Sequence, residues 1–418
     1  MKTTDGAAKA EPAPVEAPPA GRWRALVLLA LAELLCMSLW FSASAVVPAL
    51  QAEWRLTEAG ASGLTLAVQL GFVAGTLLSA LLNLPDIIST RRLVVVAAVC
   101  AAVVNAAFGL FATELTTGIV LRFLVGLFLA GVYPPGMKIM ATWFRRGRGA
   151  ALGVLVGALT LGKAAPYLVN AVGSDEWRVN VLFASLLAAA GAFVVLLFVG
   201  DGPYGAVPAR FDIRQAARVF GNRGVRLANF GYFGHMWELY AMWTWLPVMM
   251  RASLAERGEP AALAEVASFL VIGAGALGCV AAGLVADRAG RTLVTSAAMV
   301  VSGACCLLVG FTYEAGSTAL LLAVAVVWGA SVVADSAQFS ACVTELGDPR
   351  YLGTALTIQT CCGFLLTTVS IHLVPLLVRH VGWRYAFAAL APGPVFGVVS
   401  MLRLRALPEA SRIAGGKR

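Results

Sequence analysis

Charge is scarce in this chain. Asp, Glu, Lys and Arg together make up 13% of its 418 residues, while 60% are hydrophobic. A soluble globular protein is about a quarter charged and about half apolar, so an ordinary water-solvated fold is excluded and a bilayer is implied. Histidine is rarer still, with three residues. The eight Cys fall inside apolar stretches and none has CxxC spacing, so neither a metal site nor a disulfide framework is expected. Phosphate-binding glycine loops and nucleophile–base constellations are missing too, which disfavours an enzyme. No cofactor is expected beyond a proton gradient, and no nucleic-acid partner.

What is present is a series of long apolar runs. Twelve segments reach the roughly 20 residues that cross a bilayer. They lie near 25–50, 61–84, 93–112, 116–141, 149–172, 179–200, 225–250, 263–286, 293–312, 318–343, 352–378 and 383–404. The expected fold is an all-α membrane protein with 12 transmembrane helices in two six-helix, pseudo-symmetric halves. Residues 1–22, rich in Ala, Pro and Glu, read as a disordered tail. The stretch from Leu26 is too long for a signal-peptide core and reads as an uncleaved first span. The halves are then 23–200 and 225–406, joined by a polar linker at 201–224 and followed by a tail at 407–418. Within the linker, 211–220 mixes basic and apolar residues as a surface-lying helix does.

The basic residues set the orientation. With both termini cytoplasmic, 22 of the 31 Lys and Arg fall on the inside, including Arg91 and Arg92, Arg145, Arg146 and Arg148, and the five Arg from Arg210 to Arg226. Six fall outside, and Arg122, Lys138 and Lys163 fall within spans. The net charge of +9 is thus topological. A multi-pass protein of the inner (plasma) membrane is expected, working as a monomer in lipid with a small-molecule substrate.

The halves repeat at a shift of 204 to 205 residues. Glu33-Leu34-x-x-Met37-x-x-Trp40 matches Glu238-Leu239-x-x-Met242-x-x-Trp245, and Gly149-x-Ala151-Leu152 matches Gly353-x-Ala355-Leu356. Such repeats are a transporter architecture. The loop Gly283-Leu-Val-Ala-Asp287-Arg288-Ala-Gly290-Arg291 is similar to the GxLaDrxGrr signature of the major facilitator superfamily. Arg122-Phe-Leu-Val-Gly126 resembles the core of its fourth-helix motif, and Gly149, Gly153, Gly157, Gly162 and Pro166 a loosened form of its fifth-helix motif. The chain therefore resembles a bacterial-type member of that superfamily. The loop after the second span, with Asp86, Arg91 and Arg92, departs from the signature. The resemblance implies a cavity lined by spans one, four, seven and ten, an interface of spans two, five, eight and eleven, and a gating role for both loops. Asp287, beside Arg288 and Arg291, can accept from a helix N-terminus or from Arg and hold one gate state.

Charges inside spans cost about 2.5 kcal/mol or more each and mark sites. Glu33, Met37, Trp40 and Ser44 share a face at helical spacing, as do His235, Glu238, Met242 and Trp245. A carboxylate with a Trp two turns away suits a cationic group, and a carboxylate in a poorly solvated cavity can carry a proton. Arg122, with Tyr133 at +11, needs an anion, and Glu33 is the expected partner. A Glu33–Arg122 pair broken by protonation would couple protons to substrate. Ser331, Asp335, Gln338 and Cys342 form a polar stripe on the tenth span. Lys163 has two readings, an anion site shared with Arg122 or a pair with a carboxylate across the halves.

The expected function is secondary active transport of a small polar solute, proton-coupled and working by alternating access. The alternatives are a drug or metabolite efflux antiporter and, from another class, a non-transporting receptor or scaffold. Nitrate porters of the superfamily carry Arg in spans two and eight, which 61–84 and 263–286 lack. The topology is testable. Cysteine labels placed singly in the 201–224 linker and in the loop near 258, in a Cys-free background, should react with impermeant reagents from opposite sides. Labelling of both from outside refutes the orientation.

Overall fold

Hydrocarbon offers no partner to a backbone N–H or C=O, so a chain this apolar crosses the bilayer as helices that satisfy themselves. A computed structural model of the protein describes residues 19–144, 147–172, 176–204, 212, 214 and 216–418, and excludes the side chains of 58, 85–86 and 216–218. The expected sites Asp86, Arg145 and Arg146, and most of 211–215, thus lie outside the description. Of the surface-lying helix, Ala216–Gly221 is helical.

Among the described residues, nine helical segments are long and apolar enough to span. One of them, Pro349–Arg405, turns at Gly382 (φ 70°) and covers the two spans expected near 352–378 and 383–404 with the helices Leu352–Ala386 and Pro392–Arg405. The first and seventh expected spans are not among the nine. The first is broken into Arg22–Met37, Ser42–Ala45 and Val47–Trp54. The seventh, Arg223–Glu256, is one long helix rich in aromatic and polar residues. Together the passes agree with twelve. Large apolar side chains such as Val96, Val103, Leu186, Leu277 and Val300 point outward and exposed, as a lipid-facing surface requires.

Three spans break in their middle thirds. The first breaks at 38–41, the fourth between Leu115–Leu129 and Tyr133–Ala141, and the tenth between Thr318–Val332 and Ser336–Leu346. The fourth has an evident cause, since Pro134 and Pro135 open its second piece and cannot continue the ladder.

Small residues set the helix contacts. Gly149, Gly153 and Gly157 of the fifth span lie against Gly283, Cys279 and Ala276 of the eighth and bring the halves together. Spans two and eleven also touch across the halves, through Gln69 and Thr367 among others. Gly71 and Gly75 instead pack on the backbone of Phe123 and Leu127 in the fourth span, and Gly278 on Ala330 in the tenth. These glycines join helices within a half and leave the rocking interface to the fifth-span row.

Exposed Arg214 and Ala261 are positions where the topology labels can stand. Gly126 supplies a packing test. A Cβ there would run into the backbone of Val68, whereas one at Gly63 meets Ile119 Cδ1 at an ordinary 3.7 Å. Gly126→Ala should therefore cost about 1–3 kcal/mol and lower the melting temperature in detergent. Gly63→Ala should leave it near wild type. Equal melting temperatures for the two would disprove the close approach.

Candidate functional site

The breaks determine what the buried charges do. Where the first span opens at 38–41, its carbonyls lose their helical partners. The fully buried Arg122 turns into that opening. Its Nη2 donates to Leu39 O (2.9 Å) and Trp40 O (2.5 Å), and its Nη1 to Ser42 Oγ (3.1 Å) and Asn105 Oδ1 (2.8 Å). Asn105 is itself fixed by Val181 O and Ser185 Oγ. The expected Glu33–Arg122 pair is therefore corrected. Four oxygens, two from the broken backbone, surround the guanidinium, and no carboxylate lies within salt-bridge distance among the described residues.

Glu33 is buried, and neither of its oxygens has a hydrogen-bond partner among the described residues. Gly136 of the fourth span lies against its Oε1. The charge it feels is Lys163 on the fifth span. The Lys163 ammonium is 4.0 Å from the Trp40 ring centroid, 4.6 Å from Tyr240 and 5.1 Å from Trp243, and it donates to the Tyr240 hydroxyl. Phe72 and Phe364 complete an aromatic layer, with ring centroids 4.8 Å apart. The layer draws on both halves, Trp40 and Phe72 from one and Tyr240, Trp243 and Phe364 from the other. The Trp40 face, expected to suit a cationic substrate, is occupied by the chain's own ammonium.

A cavity of about 60 Å³ borders this layer, lined by Lys163, Tyr133, Met137, Met236, Ser336 and Thr360 among others. A larger one of about 280 Å³, toward the end opposite the linker, is lined by Ser44, Thr65, Trp245 and Arg251. Arg251 pairs with Glu265 (2.5 Å) and reaches Ala45 O across the halves (3.3 Å).

The C-terminal half does not copy this chemistry. Glu238 accepts from Trp328 Nε1 (2.5 Å), Ser302 Oγ (2.9 Å) and Cys306 Sγ (3.0 Å). It borders neither cavity and ties the seventh, ninth and tenth spans together. His235 Nδ1 and Asp335 Oδ1, both buried, lie 2.8 Å apart, away from both cavities. Trp245 borders the larger cavity while donating to Ile371 O. The polar stripe of the tenth span is also corrected. The break before Ser336 resets the helical phase, so Val333, Ser336 and Ser340 face the smaller cavity while Asp335, Gln338 and Cys342 turn away. Tyr133 meets the cavity and Arg122 does not, for the same reason in the fourth span.

Gln338 serves the linker end, where it accepts from Arg291 Nη1 (2.6 Å) while Arg291 pairs with Glu345 (2.8 Å). Asp287 is 3.7 Å from Arg291 and lies against Gly149, in the first turn of the fifth span. A carboxylate there meets the positive helix end. Arg288 is exposed, as is Arg92, and Arg91 donates to Leu196 O. The 407–418 segment packs on this cluster, with Ala414 N bonded to Glu345 and Lys417 Nζ to Asp287 O. Sequence reasoning did not single out Tyr240, Trp243, Phe72, Phe364 and Arg251. Tyr240 and Trp243 lie at unassigned positions inside the Glu238–Trp245 motif, and that placement was the available signal.

A bundle of two six-helix halves enclosing a charged cavity at their interface is the architecture of a membrane transporter. The description of the Major Facilitator Superfamily matches residues 29–370 and 228–418, and the chain belongs to that family. Among solved structures it is similar to the proton:xylose symporter XylE bound to 6-bromo-6-deoxy-D-glucose, with 14% identity, a TM-score of 0.71, and coverage of 91% of this chain and 95% of that one. No curated protein matches it by sequence. The protein is thus a transporter and not an enzyme.

Arg122→Lys removes the planar fork, and an ammonium with three N–H groups loses at least one of the four bonds. Each bond from a charged group is worth about 1.5–3 kcal/mol, so the variant should melt several degrees lower in detergent and transport poorly. An unchanged melting temperature, with a change confined to substrate affinity, would instead make Arg122 a substrate ligand.

Proposed function

We propose that the protein is a proton-coupled secondary transporter of a small solute, working by alternating access at the interface of its halves, with Glu33 as the proton-carrying group and Lys163 as its electrostatic counterpart. One observation carries this reading. A buried ammonium lines a cavity between the two halves, and the buried carboxylate that interacts with it, Glu33, lies outside that lining and has no hydrogen-bond donor among the described residues. A carboxylate so placed trades its charge with a proton whenever the compensating cation is engaged elsewhere. The Asp287–Gly149 contact and the Arg291–Glu345 pair would hold the linker end shut, and the Arg251 contact the other end. Rocking along the fifth and eighth spans would exchange one closure for the other. Both termini and the linker are placed in the cytoplasm by the distribution of Lys and Arg, which assigns the larger cavity to the outside. The solute in the symporter XylE is a sugar; here the cation at the cavity points to another chemistry.

The coupling role is tested with Glu33→Gln in proteoliposomes. The amide keeps the shape of the protonated acid. Substrate exchange across the membrane should persist within about two- to threefold, because exchange moves no net proton. Accumulation driven by a pH gradient should fall to the equilibrium level. Wild-type accumulation by the variant excludes Glu33 as the coupling group.

A further inference from the structure

We infer that the substrate is a small organic monoanion, a carboxylate with an apolar body, held by the Lys163 ammonium and the Tyr240 hydroxyl within the aromatic layer. The inference rests on the central cavity as the transport site and identifies the chemistry that site recognises. Lys163 is 2% exposed. Among the described residues no carboxylate lies within 4.0 Å of it, whereas Arg251, Arg291 and Arg178 each have one. It is also the only Lys, Arg, Asp, Glu or His lining the smaller cavity. An ammonium kept this far from water without a contacting counterion is costly. The rings of Trp40, Tyr240 and Trp243 offset part of that cost, and an arriving anion would offset more. Glu33 is close enough to be felt but makes no contact.

The donors match a carboxylate. The ammonium has three N–H groups and gives one to the Tyr240 oxygen. Another N–H and the Tyr240 O–H then remain for the two oxygens of one ligand group. The rest of the wall suits an apolar body, with Trp40, Phe364, Met37, Met137 and Met236 around it. Thioethers and ring faces adapt to varied apolar shapes. A dianion would need a second cation, and Arg122 lines neither cavity, its two Nη groups being held at the first-span break. The charge also balances. Without ligand, Lys163 and Glu33 sum to zero. With the anion on Lys163, Glu33 holds one proton and the sum is zero again. The other titratable groups facing the pair are Cys36, Tyr133 and Tyr240, which are neutral in both states. One anion would therefore move with one proton.

Equilibrium binding tests this without any gradient. Intrinsic tryptophan fluorescence of the detergent-purified protein reports on Trp40 and Trp243 beside the ammonium. Benzoate and butyrate should give a saturable change, and benzamide, butyramide and benzylammonium should not. Lys163→Met should weaken benzoate by about ten- to hundredfold, the loss expected for a buried charge-assisted contact, and Lys163→Arg should keep most of the affinity. Amides binding as tightly as acids, the absence of a saturable response to either acid, or full affinity in Lys163→Met would overturn the inference. If Lys163→Met does not fold, the acid–amide comparison on the wild-type protein still decides. The two readings fail separately. Gradient-driven uptake of a neutral solute with no carboxylate binding leaves proton coupling standing and removes the anion. Carboxylate binding with uptake indifferent to pH does the reverse.

Discussion

A polypeptide buried in hydrocarbon cannot leave a carbonyl bare, and the first span would violate that rule at its own midpoint if Arg122 were elsewhere. The chain opens between Met37 and Ser42, and the guanidinium covers the Trp40 oxygen that the opening frees and shares the Leu39 oxygen with the Ser42 amide and hydroxyl. Much follows from this contact. It allows the helix to stop where Trp40 sits, and so lets the indole stand at the half interface against Tyr240 and Phe364. It uses up the one permanent cation of the fourth span, which leaves Glu33 without that partner. Lys163, a residue whose charge is more easily compensated by proton movement, becomes the cation that Glu33 senses. The sequence resembles an arginine-centred coupling pair, but the structure has an arginine that holds backbone and a lysine that faces the cavity.

The two halves began from one repeat and have diverged in chemistry while keeping their packing. Glu33 and Glu238 occupy matching positions, yet one lacks hydrogen bonds and the other has three donors. The difference lies in the ninth and tenth spans, where Ser302, Cys306 and Trp328 offer donors. The repeat thus has an acid with three donors in one half and an acid with none in the other. The cavity chemistry is asymmetric as a result, with the ammonium from the N-terminal half and the hydroxyl and most of the rings from the C-terminal half. The proposed rocking of the halves would move Lys163 relative to Tyr240 and Trp243 and so change the grip on the anion inferred to bind there.

The fold was legible because its signals are long. A run of some 20 apolar residues repeated twelve times, basic loops in alternation and a repeat at 204 residues all average over many positions. The site was legible only in part. Glu33, Trp40, Tyr133 and Lys163 stand out because a charge or an indole in an apolar span is conspicuous. Their partners do not. Helical phase was carried through the first, fourth and tenth spans as if each were one unbroken helix, and each is broken. Beyond a break the offsets of 4, 7 and 11 no longer name one face, so Asp335, Gln338 and Cys342 were assigned to a cavity that Ser336 and Ser340 line instead. Pro134 and Pro135 announce the fourth-span break. Ser38–Phe41 and Val333–Asp335 contain neither Pro nor Gly, and the residues that stabilise their open backbone come from other spans. Such a break depends on tertiary contacts that no local window contains.

The glycine rows show the same limit from the side of packing. Gly71, Gly75, Gly275 and Gly278 have the spacing of helix contacts, as do Gly149, Gly153 and Gly157, and spacing alone does not say which neighbour each row meets. Gly71, Gly75 and Gly278 face helices of their own half, where a backbone is close enough to exclude even a methyl group at Gly71 and Gly278, while Gly275 lies between Val333 of its own half and Thr160 of the fifth span. The fifth-span row faces Cys279, Ala276 and Gly283 across the halves. There the approach at Gly157 is looser, with a would-be Cβ 3.0 Å from Ala276 O. Across the halves the would-be Cβ distance is shortest at Gly149 and grows to 2.6 Å at Gly153 and 3.0 Å at Gly157, and the proposed rocking would use this row rather than the tighter contacts within each half. Small residues thus build two different mechanical elements, and the partner helix, not the spacing, decides which one a given glycine belongs to.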